Sequence, residues 1–347
     1  MASTRCVLIV LASYDYESLL VTLNGLDCTL NNKEKVVVIL NGNQSLAARI
    51  VEYVARKWSM ARPDTRFVIK PLSAPTDPFF AIKEVIHQSG LFKDAEYICK
   101  IDDDIIPLKK DWLQHLLLQY RQLSRTRNIG FVTGLININC WGFNELLTLY
   151  NKWPAYKGIH CYKTVAGWEG TRAVNEGAID IDDFGTIWQY PFIARWVHEW
   201  TSLAIPAFLK KVSALKPKQI PFETYYSIGC MLTAKDFWES LDADTYYSVI
   251  DEKIIHNHCL VTQAEKWAVM NEPILHLFYN NHRVINSDLL LPVCRSLAKY
   301  FKDDRFVNGI VHLREQFSVA LNNQSPKAAV NAPASVPPGE PLIVRVK

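Results

Sequence analysis

No GxG, GxxxxGK[ST], HExxH or GxSxG occurs anywhere in the 347 residues. The first two absences remove the glycine fingerprints of dinucleotide sites and P-loops. The last two remove zinc-peptidase and serine-hydrolase signatures. CxxC is missing as well, so the eight cysteines offer no cysteine zinc site. The closest two in sequence, Cys140 and Cys161, are well separated, and Cys6, Cys99 and Cys230 lie inside apolar runs. That pattern predicts free, buried thiols in a reducing compartment. There is no long Lys/Arg run, and the formal charge is only +3, which argues against a nucleic-acid partner. Near the start, the longest apolar run is Cys6 to Ala12, far short of the roughly 20 residues that span a bilayer. It continues into Ser13-Tyr14-Asp15-Tyr16-Glu17, not a small-residue cleavage site, and reads as a first buried strand and not as a signal peptide. No internal repeat is visible.

What is present is ample apolar content, 49% of the chain, in a regular alternation. Strands are predicted at Val7–Leu11, Val36–Leu40, Phe67–Ile69, Tyr97–Ile101 and Ile129–Thr133, with helices near 17–26, 45–59, 78–89 and 111–123. Unbroken β-branched runs alternating with helices predict a parallel α/β sheet covered on both faces. Alternation resumes with a strand at Tyr225–Thr233, helices at 234–241 and 251–265, a strand at Ile274–Phe278 and helices from 288 to 321. Between them, residues 135–220 lack clear periodicity and hold six of the ten tryptophans: Trp141, Trp153, Trp168, Trp188, Trp196 and Trp200. The end of the chain, 322–347, is rich in Ala, Pro, Asn and Ser up to Gly339 and reads as a disordered tail.

The most telling segment is Lys100-Ile101-Asp102-Asp103-Asp104, three consecutive carboxylates closing an apolar strand. Ligands of open α/β sheets bind at the carboxyl ends of strands. Three adjacent negative charges in a cleft call for a cation. Hard oxygen ligands favour Mg²⁺ or Mn²⁺, and magnesium commonly binds through one or two carboxylates plus substrate phosphates. A solvated turn is the plainer alternative.

At this point the chain resembles the GT-A-fold glycosyltransferases, most closely the family-2 inverting enzymes. Val7-Leu8-Ile9-Val10-Leu11-Ala12-Ser13-Tyr14-Asp15 resembles the opening strand and nucleotide-binding loop, and Val38-Ile39-Leu40-Asn41-Gly42-Asn43 the second strand. Lys100 to Pro107, with Trp112-Leu113 beyond it, resembles the DxD segment. The resemblance implies a Rossmann-like nucleotide-diphospho-sugar transferase fold, with nucleoside contacts at Ser13, Asp15 and Asn41. It implies that Asp102 and Asp104 hold the metal and the donor's diphosphate or ribose, with Asp103 as a less certain third member. It divides the chain into a nucleotide-sugar-binding half (1–134), a Trp-rich insertion serving the acceptor (135–224), an acceptor and catalytic half with C-terminal helices (225–321) and the tail (322–347). The likeness covers roughly 5–125 and 225–280 and leaves the insertion unmatched.

Ser227-Ile228-Gly229-Cys230-Met231-Leu232-Thr233 resembles the segment before the family's acidic pair, which here is Asp251-Glu252. By resemblance, His276, on the strand after Glu272-Pro273, completes the metal site. Acids in the first turn of a helix also complement its dipole without any catalytic role. Transfer to a hydroxyl nevertheless requires a carboxylate to take its proton, and Glu252 is favoured by spacing. A Glu stands where the family has Asp, so the choice between Asp251 and Glu252 stays open. His282 is the rival ligand, and His276 alone would read as a satisfied core histidine. His256 and His258 read as structural or acceptor-facing.

The implied activity is a metal-dependent hexosyl- or pentosyltransferase of polysaccharide biosynthesis. It moves a sugar from a nucleoside-diphosphate donor, UDP-linked by expectation, to a hydroxyl of a glycan or lipid-linked glycan, at a cytoplasmic location. A sugar-nucleotide nucleotidyltransferase and a non-catalytic glycan-binding protein of the same fold are the alternatives. The tryptophans read as core residues or as sugar-stacking faces. The run Asp180-Ile181-Asp182-Asp183 reads as a solvated loop before a second metal site. Trp196 to Leu215, with Lys210, Lys211, Lys216 and Lys218, reads as a packed segment, with peripheral membrane contact as the other option.

Overall fold

A computed structural model describes residues 6–31, 34–42, 45–62, 65–69, 77–88, 90–157, 159–161, 165–167, 170–172, 187, 191–227, 229–246, 248, 250–277, 288–322 and 344–346. The expectations for Trp168, Trp188, the run Asp180 to Asp183, His282 and the tail over 323–343 lie outside these residues.

Strands form where aliphatic residues run without interruption. β1 (Cys6–Ala12) is buried at all seven positions. Each fully buried aliphatic side chain contributes roughly 1.5–3 kcal/mol, so such a strand is stable between two covering layers. β2 (Lys35–Leu40) pairs parallel with β1, and β3 (Thr65–Ile69) extends the sheet beyond it. β4 (Tyr97–Asp102) lies parallel on the other side of β1. The connections are α1 (Tyr16–Thr29), α2 (Leu46–Ser59) and α3 (Pro78–Gln88). Asp15 caps α1 by accepting the Ser18 N–H at 3.0 Å, and Ser45 caps α2 by accepting the Ala48 N–H at 3.2 Å.

Beyond β4 come β5 (Ile105–Pro107), α4 (Trp112–Leu123), β6 (Ile129–Ile136), α5 (Cys140–Leu149) and α6 (Trp153–Lys157). Three short strands follow, β7 (Ile159–Cys161), β8 (Val165–Gly167) and β9 (Gly170–Arg172), then α7 (Pro191–Trp200), α8 (Ile205–Val212) and β10 (Lys218–Ile220). The chain returns to the sheet with β11 (Cys230–Ala234), α9 (Lys235–Ser240), α10 (Ala243–Tyr246), α11 (Asp251–Thr262) and β12 (Glu265–His276). It continues through α12 (Leu290–Phe301) and α13 (Arg305–Asn322) to β13 (Val344–Val346), which pairs with β7.

The nine-stranded sheet has the order β10-β12-β6-β11-β4-β1-β2-β3, with β5 paired to β12. β1 to β4, β6 and β12 point one way, and β5, β10 and β11 run against them. The expected α/β architecture, a mostly parallel sheet flanked by helices, is present. β11 lies antiparallel between β4 and β6, so the carboxyl ends of β4, β6 and β12 gather at one edge.

Three of the boundaries that differ from the sequence reading have a clear physical cause. The strand predicted over 225–233 begins only at Cys230. Upstream, the Tyr225 and Ser227 carbonyls accept from the side chains of Cys140 and Asn139, so no strand ladder claims them. β12 starts nine residues before Ile274, at Glu265, because its polar opening finds partners: Arg127 pairs with Glu265, and Lys266 is fully buried. The helix from 251 stops at Thr262, where Gln263 takes a left-handed φ of 53°.

Lys266 shows how a charge survives inside such a strand. Its ammonium donates to the carbonyls of Phe222 at 2.8 Å and Thr224 at 2.6 Å. Burial pulls its pKa down to about 8, while the two carbonyls hold the charge in place. Lys266→Met leaves both oxygens unsatisfied and is expected to cost on the order of 2–4 kcal/mol. A reduced denaturant midpoint, with unchanged far-UV circular dichroism, is the measurement.

The described tryptophans of the 135–220 region pack among other rings. Trp200 meets Tyr150 at 4.8 Å and Trp196 at 5.4 Å, and Trp153 meets Tyr156 at 5.9 Å. α8 buries Ile205, Phe208 and Val212 and lies against β12 and α12, in line with the packed reading of this segment. Among the described residues no helix is long and apolar enough to cross a membrane. Seven cysteines among them are free thiols.

Candidate active site

The edge where β4, β6 and β12 end is built by three polar turns. In the first, β4 delivers Asp102, the chain reverses through Asp103 and Asp104, and β5 leaves antiparallel to the end of β12. Register places Ile105 opposite His276. The imidazole Nε2 lies 3.2 Å from Asp104 Oδ2. On the ring's other side, Nδ1 lies 2.8 Å from the Ile138 carbonyl. A carbonyl only accepts, so Nδ1 carries the proton and Nε2 faces the carboxylate. Burial works against a charged ring, but the Asp104 carboxylate outweighs it together with Asp102 and the carbonyl, and the His276 pKa is raised.

Asp103 points towards β1. Its Oδ2 accepts the Ser13 N–H at 3.1 Å, and its own carbonyl accepts the Thr22 hydroxyl at 2.9 Å. Burial, with the charges of Asp104 and Asp15, pushes its pKa well up. Asp15 is buried, and its carboxylate accepts both the N–H and the hydroxyl of Ser18. Asn41, also buried, donates its backbone N–H to the Ala12 carbonyl at 2.6 Å. Next to it, Gly42 comes so close to Ser13 that a Cβ would stand 2.7 Å from the Ser13 oxygen. The turns after β1 and β2 and the acidic turn after β4 therefore form one corner, and Ser13, Asp15, Asn41 and Asp103 are gathered there.

Asp102 faces the other way. It shares a face of β4 with Lys100, whose ammonium is 2.6 Å from Asp102 Oδ1 and 3.5 Å from Asp251 Oδ2. Burial raises the Asp102 pKa to about 6 against the pull of Lys100. Burial disfavours the Lys100 charge, but Asp102 and Asp251 overcome it and raise its pKa. Asp251 opens α11, and its Oδ1 accepts the Glu252 N–H at 3.0 Å. The residue is 6% exposed, and its carboxylate lies between these two contacts.

Glu252 is half-buried and served by hydroxyls. Ser227 donates to Oε1 at 2.9 Å and Tyr225 to Oε2 at 3.4 Å. The turn that carries Ser227 presses against the acidic turn. Asp102 donates its N–H to the Gly229 carbonyl at 3.1 Å, and a Cβ on Gly229 would stand 2.8 Å from Ile105. Of the remaining histidines, His256 lies against the Tyr225 ring, and His258 bonds Tyr246 and Ser240 on the outer side of α11.

Asp104 and His276 are thus brought together, whereas Asp102 is engaged by Lys100. Among the described residues, no set of three or more His, Cys, Asp or Glu side chains stands ready to hold a metal ion. A carboxylate beside an imidazole whose far nitrogen is fixed by a carbonyl does suit a cation whose other ligands come from phosphate oxygens and water.

Several residues of the site were not singled out by sequence reasoning. Lys100 carried a signal, a charge inside an otherwise apolar strand, which is rare without a buried partner. Asn137 accepts the N–H groups of Ile138 and His276 at 2.8 Å and donates to Thr201 and Ser202, thereby fixing β6, β12 and α7 together. Asn139 caps α5 and holds the Ser227 carbonyl. Both stand just past the end of β6, the position where a polar residue in an α/β sheet reaches the site.

No protein-family model and no curated protein matches the chain. Among solved structures it is similar to S. aureus TarS 1–349, at 9% identity over 92% of this chain and 74% of that chain, with a TM-score of 0.42. It is similar to the mannosyltransferase PcManGT from Pyrobaculum calidifontis in complex with GDP-Man and Mn²⁺, at 11% identity over 94% of this chain and 77% of that chain, with a TM-score of 0.44. It is also similar to the bifunctional glycosyltransferase WbbM, at 10% identity over 73% of this chain and 37% of that chain, with a TM-score of 0.33.

Proposed function

We propose that this chain transfers a sugar, with inversion, from a nucleoside-diphosphate donor, UDP-linked by preference, to a hydroxyl of a glycan or lipid-linked glycan. The observation that carries the proposal is the meeting of two carboxylate sites across one buried lysine: the Asp102–Asp104 turn and the Asp251-Glu252 pair. One side suits a diphosphate with its cation, and the other suits a proton acceptor. The four segments that resemble GT-A enzymes of family 2 converge on this edge.

Asp104 and His276 are the residues that would hold Mn²⁺ or Mg²⁺. Bound there, the ion would neutralise the charge growing on the departing diphosphate. Ser13, Asn41 and Asp103 line the corner assigned to the nucleoside. Glu252 serves as the base: its carboxylate is reachable and oriented by Ser227 and Tyr225, whereas Asp251 is buried and committed to Lys100 and the Glu252 N–H. As the acceptor oxygen bonds to the anomeric carbon, its proton passes to Glu252, and the bond from that carbon to the diphosphate oxygen breaks. A single displacement inverts the anomeric centre.

The test is a panel of nucleotide sugars with Mn²⁺, with Mg²⁺ and with chelator. One UDP-sugar is expected to raise the melting temperature by mass action and to release UDP only when a divalent ion is present. A product with retained anomeric configuration by NMR overturns the inverting assignment. Absence of any nucleotide-sugar binding overturns the function.

A further inference from the structure

We infer that Lys100 is a positioning residue for this transfer: its ammonium ties the acidic turn after β4 to the helix that carries the base. The inference rests on the glycosyl-transfer reading above. Lys100 is 3% exposed in the middle of the sheet. Residues 100 and 102 share a face of the strand, so Nζ reaches Asp102 Oδ1 at 2.6 Å without leaving β4. The same nitrogen lies 3.5 Å from Asp251 Oδ2, across the gap to α11. The other Asp251 oxygen holds the Glu252 N–H at 3.0 Å. The contacts therefore run unbroken from Asp102 through Lys100 and Asp251 to the backbone of Glu252.

A buried ion pair kept only for stability is commonly replaceable by apolar residues of similar volume. This one has a geometric consequence that such a replacement lacks. A general base works only within hydrogen-bond reach of its proton, and a misplacement of about 1 Å costs on the order of 10²-fold. Lys100 sets the distance between the turn that receives the donor and the helix start that presents Glu252. Its ion pairs are with Asp102 and Asp251, and its charge also acts on Glu252, so its loss is expected to act on turnover more than on donor affinity.

The experiment compares Lys100→Met and Lys100→Arg with the wild type in kcat and in UDP affinity, the latter by calorimetry with Mn²⁺. Lys100→Met is expected to lose about 100-fold in kcat with UDP affinity held within about threefold. Lys100→Arg, whose guanidinium can still bridge both carboxylates, is expected to recover at least about tenfold of that loss. If Lys100→Met does not fold, Asp251→Asn takes its place. It keeps the Lys100–Asp102 pair and an oxygen for the Glu252 N–H but weakens the far end of the tie, and about a tenfold loss in kcat is expected. Turnover within about threefold of wild type in the folded variant overturns the inference, as does a UDP affinity that falls in step with kcat. Failure of the underlying function is distinct, because the wild type itself would then neither bind UDP nor turn over.

Discussion

Glu252→Gln is expected to lower sugar transfer by about 10²–10⁴-fold, the range in which a positioned general base contributes. The substitution preserves volume and one carbonyl oxygen, so a donor such as Ser227, at 2.9 Å, keeps a partner and the start of α11 stays intact. What disappears is the negative charge proposed to receive the proton. Donor binding is assigned by the proposal to the opposite corner, so UDP affinity is expected to stay within about threefold and the melting temperature within a few degrees. Steady-state kinetics on the purified variant, with UDP titration in parallel, separates the two effects. Turnover within threefold of wild type would pass the base role to Asp251. That outcome would be unexpected for a buried residue whose two carboxylate oxygens are already engaged.

Asp104→Asn should produce the other large loss, on the order of 10³-fold in turnover. It removes the carboxylate assigned to the cation, and charge stabilisation of a leaving diphosphate amounts to several kcal/mol. His276 keeps its bond to the Ile138 carbonyl at 2.8 Å, so the ring stays oriented while the site loses a charge. Mn²⁺ binding in the presence of UDP should weaken by at least about tenfold, a readout independent of catalysis. An Asp104→Asn protein that binds Mn²⁺ as the wild type does would move the metal site away from this corner. The parallel Asp102→Asn variant is expected to leave Mn²⁺ affinity nearly unchanged, since Asp102 is turned to Lys100 at 2.6 Å.

Much of this arrangement was legible in the chain because it is local. The buried runs of β1, β2 and β4 could only be strands of a covered sheet, and the acidic triplet announces itself at the end of one. His276 was reached only through the family resemblance, and the pairing of β5 with β12 is what sets it beside Asp104. The Lys100 tie was not legible, since its far partner Asp251 is about 150 residues away and only the sheet order brings them together. The start of β12 was hidden for a related reason. Glu265 reads as the end of the preceding helix until Arg127 is placed beside it and the carbonyls of Phe222 and Thr224 around Lys266. Conversely, the segment opening at Tyr225 reads as the start of a strand, yet the Tyr225 and Ser227 carbonyls are held by the side chains of Cys140 and Asn139. Asp15 illustrates a double reading: the same position that suits a nucleoside contact also begins a helix, and its carboxylate is engaged with Ser18.

The strand order has a consequence for biosynthesis. β6 is complete at Ile136, yet its sheet neighbours β11 and β12 lie almost 100 residues or more downstream. A chain still on the ribosome can assemble β1 to β4 as soon as they emerge, but β4 and β6 then face one another across a missing strand. Both long apolar edges stay uncovered until Ala234 and then His276 have been synthesised. Unpaired strand edges of this kind invite pairing with other chains. The interval between translating residues 136 and 276 is therefore the stage at which these edges stand open to pairing with other chains.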